Sequence, residues 1–416
     1  MSFVIRRFQT DWPSWVALLF IACLPFGRWS EVPLSLFAIS LPLLWRMPRH
    51  RDVIRKAAAW LIPLFGCFWL PMVISSFDSV SPLASWVHSL AALRFLAAAL
   101  SMVTLLHPAS VRWRMMRWTS WLLLFWAVDG FVQLLFGSDL LGIEMHPDRL
   151  NALFMDRYQF YGPTLAMLSP LALEYARREW PPWAWALLLT AILGAVMISG
   201  MRSGWLSMAV VLTAYLVLMT RRENRRLRRA MPLVPVLAMG VMALSYFYSP
   251  LFQERLELTG AAYENTGAAI NHASSDRLPI FATALRMFRH HPINGVGVRA
   301  FPEAYMVYAE PGDIHIEKSG GKSGATHAHN VVLEVMSDTG SIGLAGLLLA
   351  VFIAVRHWRR AIPAQRRDAF PFMLSVFLIM FPLNSHFALY GTYVSSLLWF
   401  LLGLWGSTVR EGVTAA

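Results

Sequence analysis

Two histidines stand directly before a long apolar run near the C-terminal end of the chain. They are His327 and His329, in the sequence THAHNVVLEVMSDTGSIGL over residues 326–344. A neutral imidazole at a membrane boundary can accept a proton from a hydroxyl group, because its pKa lies near the ambient pH. The His-x-His spacing also suits a metal pair, although no further ligands follow at convincing spacing. A histidine before a membrane helix can also be a simple interfacial polar residue. The sequence therefore predicts His329 as a general base, with these two alternatives.

A second set of candidate residues is cationic. Arg202 lies in SGMRSGW, in a very short connection between two apolar runs. Its planar guanidinium can bind the oxygens of a pyrophosphate in two places, whereas the alternative is contact with phospholipid head groups. Arg277 opens a predicted helix, whose N-terminus would add to an anion site; a salt bridge with Asp276 or Glu303 is the alternative. Further outer-side candidates for substrate contact are Arg149, Arg157, Arg286 and Arg299.

The segment SSDRLPIFATALRMFRHHP predicts an amphipathic helix that begins near Arg277. Ser274 or Ser275 can cap its start, and Pro292 ends it. The spacing predicts an apolar stripe made of Leu278, Phe281, Leu285 and Phe288.

Composition places these residues in a membrane. The chain has 416 residues, of which 57% are hydrophobic and only 14% charged, and its mean hydropathy is +0.50. Apolar runs long enough to cross a bilayer recur from end to end. The net charge of +12 does not indicate nucleic-acid binding, because the basic residues form short clusters between apolar runs and no recognition motif accompanies them. We therefore expect an all-α polytopic protein with membrane lipids around it.

Twelve membrane spans are predicted, and their positions are 14–27, 32–46, 57–76, 83–106, 118–137, 158–175, 183–200, 203–219, 232–249, 330–355, 368–386 and 391–406. With both termini in the cytoplasm, every basic cluster of the connecting loops falls on one side, as the positive-inside rule requires. Residues 1–248 then form nine spans, residues 249–328 form a large outer loop domain with short helices, and residues 329–416 form three more spans. The glycine-rich GGKSGATH before the tenth span is predicted to be a mobile lid.

The pattern of motifs resembles the superfamily of lipopolysaccharide O-antigen ligases and O-antigen polymerases. HPINGVGVRAF, at residues 291–301, resembles a Pro-x-x-Gly-x-Gly element of that family. HAHNVVLEVMSDTGSIGL resembles its His-Asn element before a span ending in Gly-x-x-Gly, and SGMRSGW resembles its arginine position. The resemblance covers about residues 190–220 and 275–345, and the layout of spans extends it to the whole chain.

This resemblance implies a membrane-embedded, GT-C-like glycosyltransferase that needs no metal or other cofactor. Such an enzyme takes O-antigen glycan from undecaprenyl diphosphate and transfers it to lipid A-core oligosaccharide in the periplasm, with inversion at the sugar carbon. By the same motifs, His329 would be the general base, with His327 as the alternative, and Arg202 and Arg277 would bind the diphosphate. The location implied is the inner membrane of a Gram-negative bacterium.

Other functions are left open by the sequence. An O-antigen polymerase or a protein O-oligosaccharyltransferase of the same superfamily uses the same donor chemistry, and no residue identifies the acceptor. A twelve-span transporter is the other class, but such proteins commonly have two repeated halves with substrate groups near the midplane. Nine spans, a large loop and three spans, with candidate residues at one membrane face, favour the enzyme.

Overall fold

The structure is a computed structural model of the chain, and it describes residues 2–147, 149–220, 233–260, 271, 274–383 and 387–408. The α-helices in these residues are α1 (Ser2–Ala22), α2 (Glu31–Arg46), α3 (Pro48–Ser76), α4 (Pro82–Leu105), α5 (Ala109–Phe136), α6 (Tyr158–Glu179), α7 (Pro182–Ile198), α8 (Arg202–Thr220), α9 (Leu233–Tyr248), α10 (Pro250–Gly260), α11 (Leu278–His290), α12 (Phe301–Tyr308), α13 (Ile314–Lys318), α14 (Val331–Arg360), α15 (Pro363–Met380) and α16 (Thr392–Gly406). Two 3-10 helices are added at Leu24–Ser30 and Ala152–Arg157.

Each predicted span lies mainly on one of these helices. α3, α4, α5 and α14 are long and apolar enough to cross a membrane. Asp11–Ala22 and Leu24–Arg46 reach that standard only as a pair, and the bend of 118° between them makes them a broken span or a re-entrant loop. α7, α8, α9 and α16 are apolar but shorter. The all-α fold with its four or five apolar spans is that of a polytopic membrane protein, as the composition predicts.

One predicted span ends too late. The predicted span is 368–386, whereas α15 ends at Met380, and residues 384–386 lie outside the described residues. Phe381 has extended backbone angles, with φ −64° and ψ 120°. Pro382 follows it, and a residue before proline is pushed out of the helical region by contact with the proline ring.

Contacts within the chain divide it into two compact units. Unit 1 comprises Met1–Pro33, Pro108–Gly260 and Pro371–Ile379, and unit 2 comprises Leu34–His107, Ala261–Phe370 and Met380–Ala416.

In unit 1, α6 packs against α5, α7 and α8. Pro170 lies inside α6 and has no N–H to donate to the Ala166 carbonyl, and the Ser169 hydroxyl donates to that carbonyl instead at 2.8 Å. The Tyr215 hydroxyl of α8 donates to the Pro170 carbonyl at 3.0 Å. These side-chain bonds satisfy the backbone at the proline, so α6 continues through it as a buried helix.

In unit 2, α3 packs against α4 and α14, and α16 packs against α4. The short helices α11 and α12 enclose a small core of their own, which includes Ile280, Ala284, Met287 and Tyr305. The Tyr305 hydroxyl donates to Asp313 Oδ2 at 2.9 Å. Burial, together with the Asp313 carboxylate, raises the pKa of Tyr305 well above its usual value, so this phenol remains a hydrogen-bond donor.

The predicted helix before Pro292 is present as α11, but its predicted apolar stripe is not the face that is buried. Leu278 and Leu285 are exposed, and the buried face is formed by Ile280, Thr283, Ala284 and Met287. Both sets recur at helical spacing, and the second set has the smaller side chains that let α11 approach its neighbours closely. Ser274 does bond at the start, because its hydroxyl accepts the Arg277 N–H at 3.2 Å.

Candidate active site

A break in α14 joins the two sequence signatures of unit 2. Gly340 has φ +65° and ψ −158°, which interrupts the helix. The residues of the Pro-x-x-Gly-x-Gly element fill the interruption. The bonds run from Val296 N–H to the Ser337 carbonyl, from Gly297 N–H to the Asp338 carbonyl, from Ser341 N–H to the Pro292 carbonyl and from Ile342 N–H to the Ile293 carbonyl, at 2.8, 3.1, 2.9 and 3.1 Å. The backbone groups that the break frees are therefore paired by the loop.

Glycine is required on both sides of this junction. A Cβ on Gly340 would lie 2.5 Å from the Asn294 nitrogen, and one on Gly295 would lie 2.6 Å from the Asp338 carbonyl oxygen. Both glycines also have positive φ, at +65° and +72°. Only a residue without a side chain lets the two backbones approach so closely.

Two carboxylates lie fully buried one helical turn apart on the first part of α14. Glu334 Oε2 accepts the Leu389 N–H at 2.8 Å, and its Oε1 accepts the Tyr390 N–H at 3.1 Å. Asp338 Oδ2 accepts the Arg299 N–H at 3.2 Å, and its Oδ1 accepts the Ser337 hydroxyl at 3.1 Å. The two side chains thus fasten the start of α14 to the segment before α16 and to the Pro-x-x-Gly-x-Gly loop.

We expect Glu334→Gln to lower the free energy of unfolding by about 1–3 kcal/mol. Both Glu334 oxygens accept from backbone N–H groups, and the amide nitrogen of glutamine cannot accept, so one buried N–H would lose its partner. Denaturant unfolding in detergent measures the loss. The exposed Glu317 of α13 gives the matched control Glu317→Gln, and equal stability of the two variants would contradict this account.

His329 and His327 lie together immediately before α14. Their ring centroids are 3.8 Å apart, and both side chains are half-buried. His329 has a left-handed backbone, with φ +51°. Asn330 then caps the helix, because its Oδ1 accepts the N–H groups of Val332 and Leu333 at 3.0 and 3.1 Å. Its Nδ2 donates to the Pro382 carbonyl at 2.8 Å. The cap fixes the backbone on the C-terminal side of His329.

The arginines of α11 differ in their surroundings. Arg277 immediately precedes the helix and is half-buried. Arg286 is engaged within the loop helices: its Nε donates to the Tyr308 carbonyl at 2.7 Å, its Nη2 donates to Thr283 Oγ1 at 2.9 Å, and its Nη1 pairs with Glu310. These contacts join Arg286 of α11 to the end of α12 and to the residue that lies two positions beyond it.

Arg299 follows the Pro-x-x-Gly-x-Gly element with φ +64°. Its backbone N–H is bound by Asp338, and its exposed guanidinium interacts electrostatically with the Glu334 and Asp338 carboxylates. It also faces His88 of α4. The charge of Arg299 therefore favours the ionised form of these two carboxyl groups, whereas their burial opposes it.

In unit 1, two of the predicted cations meet at one turn. Gly200, with φ +69°, makes the turn between α7 and α8, and Arg202 is the first residue of α8. Arg149 comes from the connection between α5 and α6, and its Nη1 contacts the sulfur of Met201, next to Arg202 in the chain. The N-terminus of α8 adds its partial positive charge at Arg202. This part of unit 1 can bind an anion.

Arg157 lies elsewhere in unit 1, at the end of the 3-10 helix before α6. It is exposed, and its guanidinium occupies the space that a side chain at Gly27 would fill. Gly27 lies in the bend between α1 and α2, with φ +64°. Arg157 therefore packs on the bend between α1 and α2.

The two buried carboxylates are the residues that the sequence analysis missed. Glu334 and Asp338 are four residues apart, which puts them on one helix face, and charges within an apolar run signal a function. Among the described residues, no three His, Cys, Asp or Glu side chains are arranged to hold a metal ion. His329 is the candidate base, and the bonds of Glu334 and Asp338 hold the helix that follows it in place.

Comparison with known proteins finds one matching family model. The family model described as O-antigen ligase matches residues 185–348. The match runs from α7 into α14 and includes Arg202, Arg277, Arg286, Arg299, His327 and His329, whereas Arg149 and Arg157 lie before it. A search of curated proteins found no match. The break at Gly340 and the loop that fills it both fall inside the matched region. Residues 185–348 of this chain are therefore similar to the O-antigen ligase family.

Proposed function

We propose that this protein is an O-antigen ligase. It transfers O-antigen glycan from undecaprenyl diphosphate to lipid A-core oligosaccharide, on the periplasmic side of the inner membrane of a Gram-negative bacterium. The family match over 185–348 carries the proposal. It is supported by the geometry within the match, where an asparagine cap and a loop-filled helix break hold His329 at the start of an apolar helix.

In the proposed reaction, a hydroxyl group of the acceptor sugar attacks the anomeric carbon of the donor glycan. The new carbon–oxygen bond forms as the bond to the diphosphate breaks, and undecaprenyl diphosphate leaves with the electron pair. His329 accepts the hydroxyl proton and later releases it to water. A single displacement inverts the configuration at the sugar carbon. General-base assistance of this kind contributes about 10²–10⁴-fold to the rate.

Arg202 and Arg277 have the proposed role of binding the diphosphate. Negative charge develops on the diphosphate as it leaves, and guanidinium groups stabilise that charge without a metal ion. The contact of Arg149 with Met201 supports Arg149 as a further cation beside Arg202. His327, Arg157 and Arg299 are proposed further substrate contacts. The bonds of Arg286 to Tyr308 and Glu310 favour a structural role for that residue instead.

The twelve-span, GT-C-like topology with cytoplasmic termini is part of the same proposal. It makes residues 249–328 the periplasmic loop domain between residues 1–248 and 329–416. The short helices α10, α11, α12 and α13 in that segment support a folded loop domain.

A transfer assay with purified protein tests the function. The protein in detergent with EDTA receives an undecaprenyl-diphosphate-linked glycan, with lipid A-core or without it. We expect glycosylated lipid A-core, formed at the same rate with EDTA and without it. Lengthened donor glycan without lipid A-core product would instead indicate a polymerase, transfer to an added protein acceptor would indicate an O-oligosaccharyltransferase, and no reaction in any arm would return the transporter hypothesis.

Arg202 gives a prediction for donor binding. We expect Arg202→Ala to raise the Kd for the lipid-linked donor about 10- to 100-fold, because one charge-assisted contact is lost. Arg202→Lys should restore only part of the affinity, since an ammonium lacks the planar fork. Arg55→Ala removes the same charge from an exposed position on α3 and is the matched control. Equal donor affinity in Arg202→Ala and wild type would remove Arg202 from the site.

A further inference from the structure

The end of α14 that lies farthest from His329 opens on a cavity with a mixed polar and apolar lining. The cavity has a volume of about 110 Å³, and its lining includes His357, Arg360, Gln365, Trp405 and Thr408. An ordered water needs about 10–15 Å³, so the space is several times larger than a water site. It can admit a tetrahedral phosphate group.

The lining of this cavity is cationic and rich in donors. Arg360 is exposed, and none of the residues that the structure describes forms an ion pair with it. Gln365 Oε1 accepts the Ile362 N–H at 3.3 Å, which leaves the amide nitrogen of Gln365 to donate. Gln365 also lies in the first turn of α15, where the helix dipole favours an anion.

Aromatic rings pack together beside the cavity. The His357 ring stacks on Trp60 with centroids 4.1 Å apart. Trp405 lies 5.4 Å from Trp60 and 6.2 Å from Trp358. Tryptophan collects at the level of lipid head groups, and a basic pocket between helices at that level suits an anionic head group.

We infer that this cavity binds an anionic phosphate group through Arg360, Gln365 and the N-terminus of α15. The phosphodiester of an anionic phospholipid and free phosphate share this chemistry. α14 extends over 30 residues, which is up to about 45 Å of helix, so the cavity is at the other end of that helix from the proposed base. The inference does not depend on the transfer reaction.

Thermal unfolding of the purified full chain in detergent tests the inference. We expect phosphatidylglycerol to raise the Tm by about 2–4 °C relative to phosphatidylcholine, as a ligand of the folded state does. Arg360→Gln should abolish the rise. Arg356→Gln removes the same charge from an exposed position one turn earlier and should keep it. Inorganic phosphate in a lipid-free arm distinguishes the two sources, because a rise there that Arg360→Gln abolishes identifies free phosphate.

A second variant covers the case in which Arg360→Gln fails to fold. Gln365→Glu keeps an oxygen to accept the Ile362 N–H but places a carboxylate in the cavity, so it should also abolish the rise. Native mass spectrometry should find phosphatidylglycerol retained by wild type and Arg356→Gln and lost from Gln365→Glu. Equal stabilisation by phosphatidylcholine, or equal loss in Arg356→Gln and Arg360→Gln, would overturn the inference.

Discussion

His329→Ala is expected to lower kcat for glycan transfer by about 10²–10⁴-fold. The imidazole is proposed to take the proton of the attacking hydroxyl, and alanine offers no group in its place. Folding should be nearly unchanged, because the bonds of Asn330, Glu334 and Asp338 that hold the start of α14 are kept in the variant. Donor affinity should also be unchanged, because the variant removes a proposed base and no proposed phosphate ligand. Single-turnover transfer measures the effect on the chemical step, and a separate donor-binding measurement tests whether donor affinity is unchanged.

Two additions make this measurement decisive. Added imidazole should restore part of the rate of His329→Ala, since an external base can enter the space that the side chain leaves, and a purely structural defect would not respond. His327→Ala is the matched control, because its ring lies 3.8 Å from that of His329. A loss confined to His327→Ala would assign the base to His327, and normal transfer by both variants would remove the histidine pair from catalysis.

The sequence predicts local features of this protein well. Composition and the recurrence of apolar runs predict an all-helical membrane protein, and the helices lie where the runs lie. The family resemblance is confirmed by the match over 185–348. These features depend on residues close together in the chain, so a window of the sequence contains the information they need.

Features that depend on distant partners were harder to predict. Leu278, Phe281, Leu285 and Phe288 form an apolar stripe in α11, but the face that is buried contains Ile280, Thr283, Ala284 and Met287. Helical spacing gives the faces of a helix without showing which of them a neighbour covers. Asp338 similarly reads in the sequence only as a charged residue within a helix. Its structural role depends on the Arg299 N–H, which it binds from 39 residues later in the chain.

The roles of the candidate site residues stay predictions for a related reason. The resemblance assigns Arg202, Arg277 and His329 by motif, whereas a mechanism depends on distances to a substrate. The structure adds which neighbouring groups hold each of these residues in position. It explains why Pro-x-x-Gly-x-Gly and His-Asn occur as a pair, since the first element fills the break in the helix that the second one begins.

The contact between this loop and the helix break predicts a second large effect, which is a loss of stability in Gly340→Ala. We expect it to lower the free energy of unfolding by about 2–4 kcal/mol, the sum of overpacking and of a left-handed backbone in a residue with a Cβ. The added Cβ would collide with the backbone of Ile293 and Asn294, and backbone yields less than a flexible side chain. The loop would be pushed out of the break, and its four backbone bonds to α14 would weaken.

Gly320→Ala is a control with a positive φ but without the collision. Gly320 has φ +66°, nearly the value of +65° at Gly340, but no described atom lies within 4 Å of a Cβ there. It should therefore lose only about 1 kcal/mol. Denaturant unfolding of both variants in detergent measures the difference. Transfer by Gly340→Ala should fall as well, because His329 lies just before the helix that the loop supports.

Gly295→Ala introduces a side chain on the loop side of the same junction. Its effect on stability and that of Gly340→Ala should therefore be strongly non-additive in the double variant. Equal losses in Gly320→Ala and Gly340→Ala, or simple additivity across the junction, would show that the contact between loop and helix break contributes little.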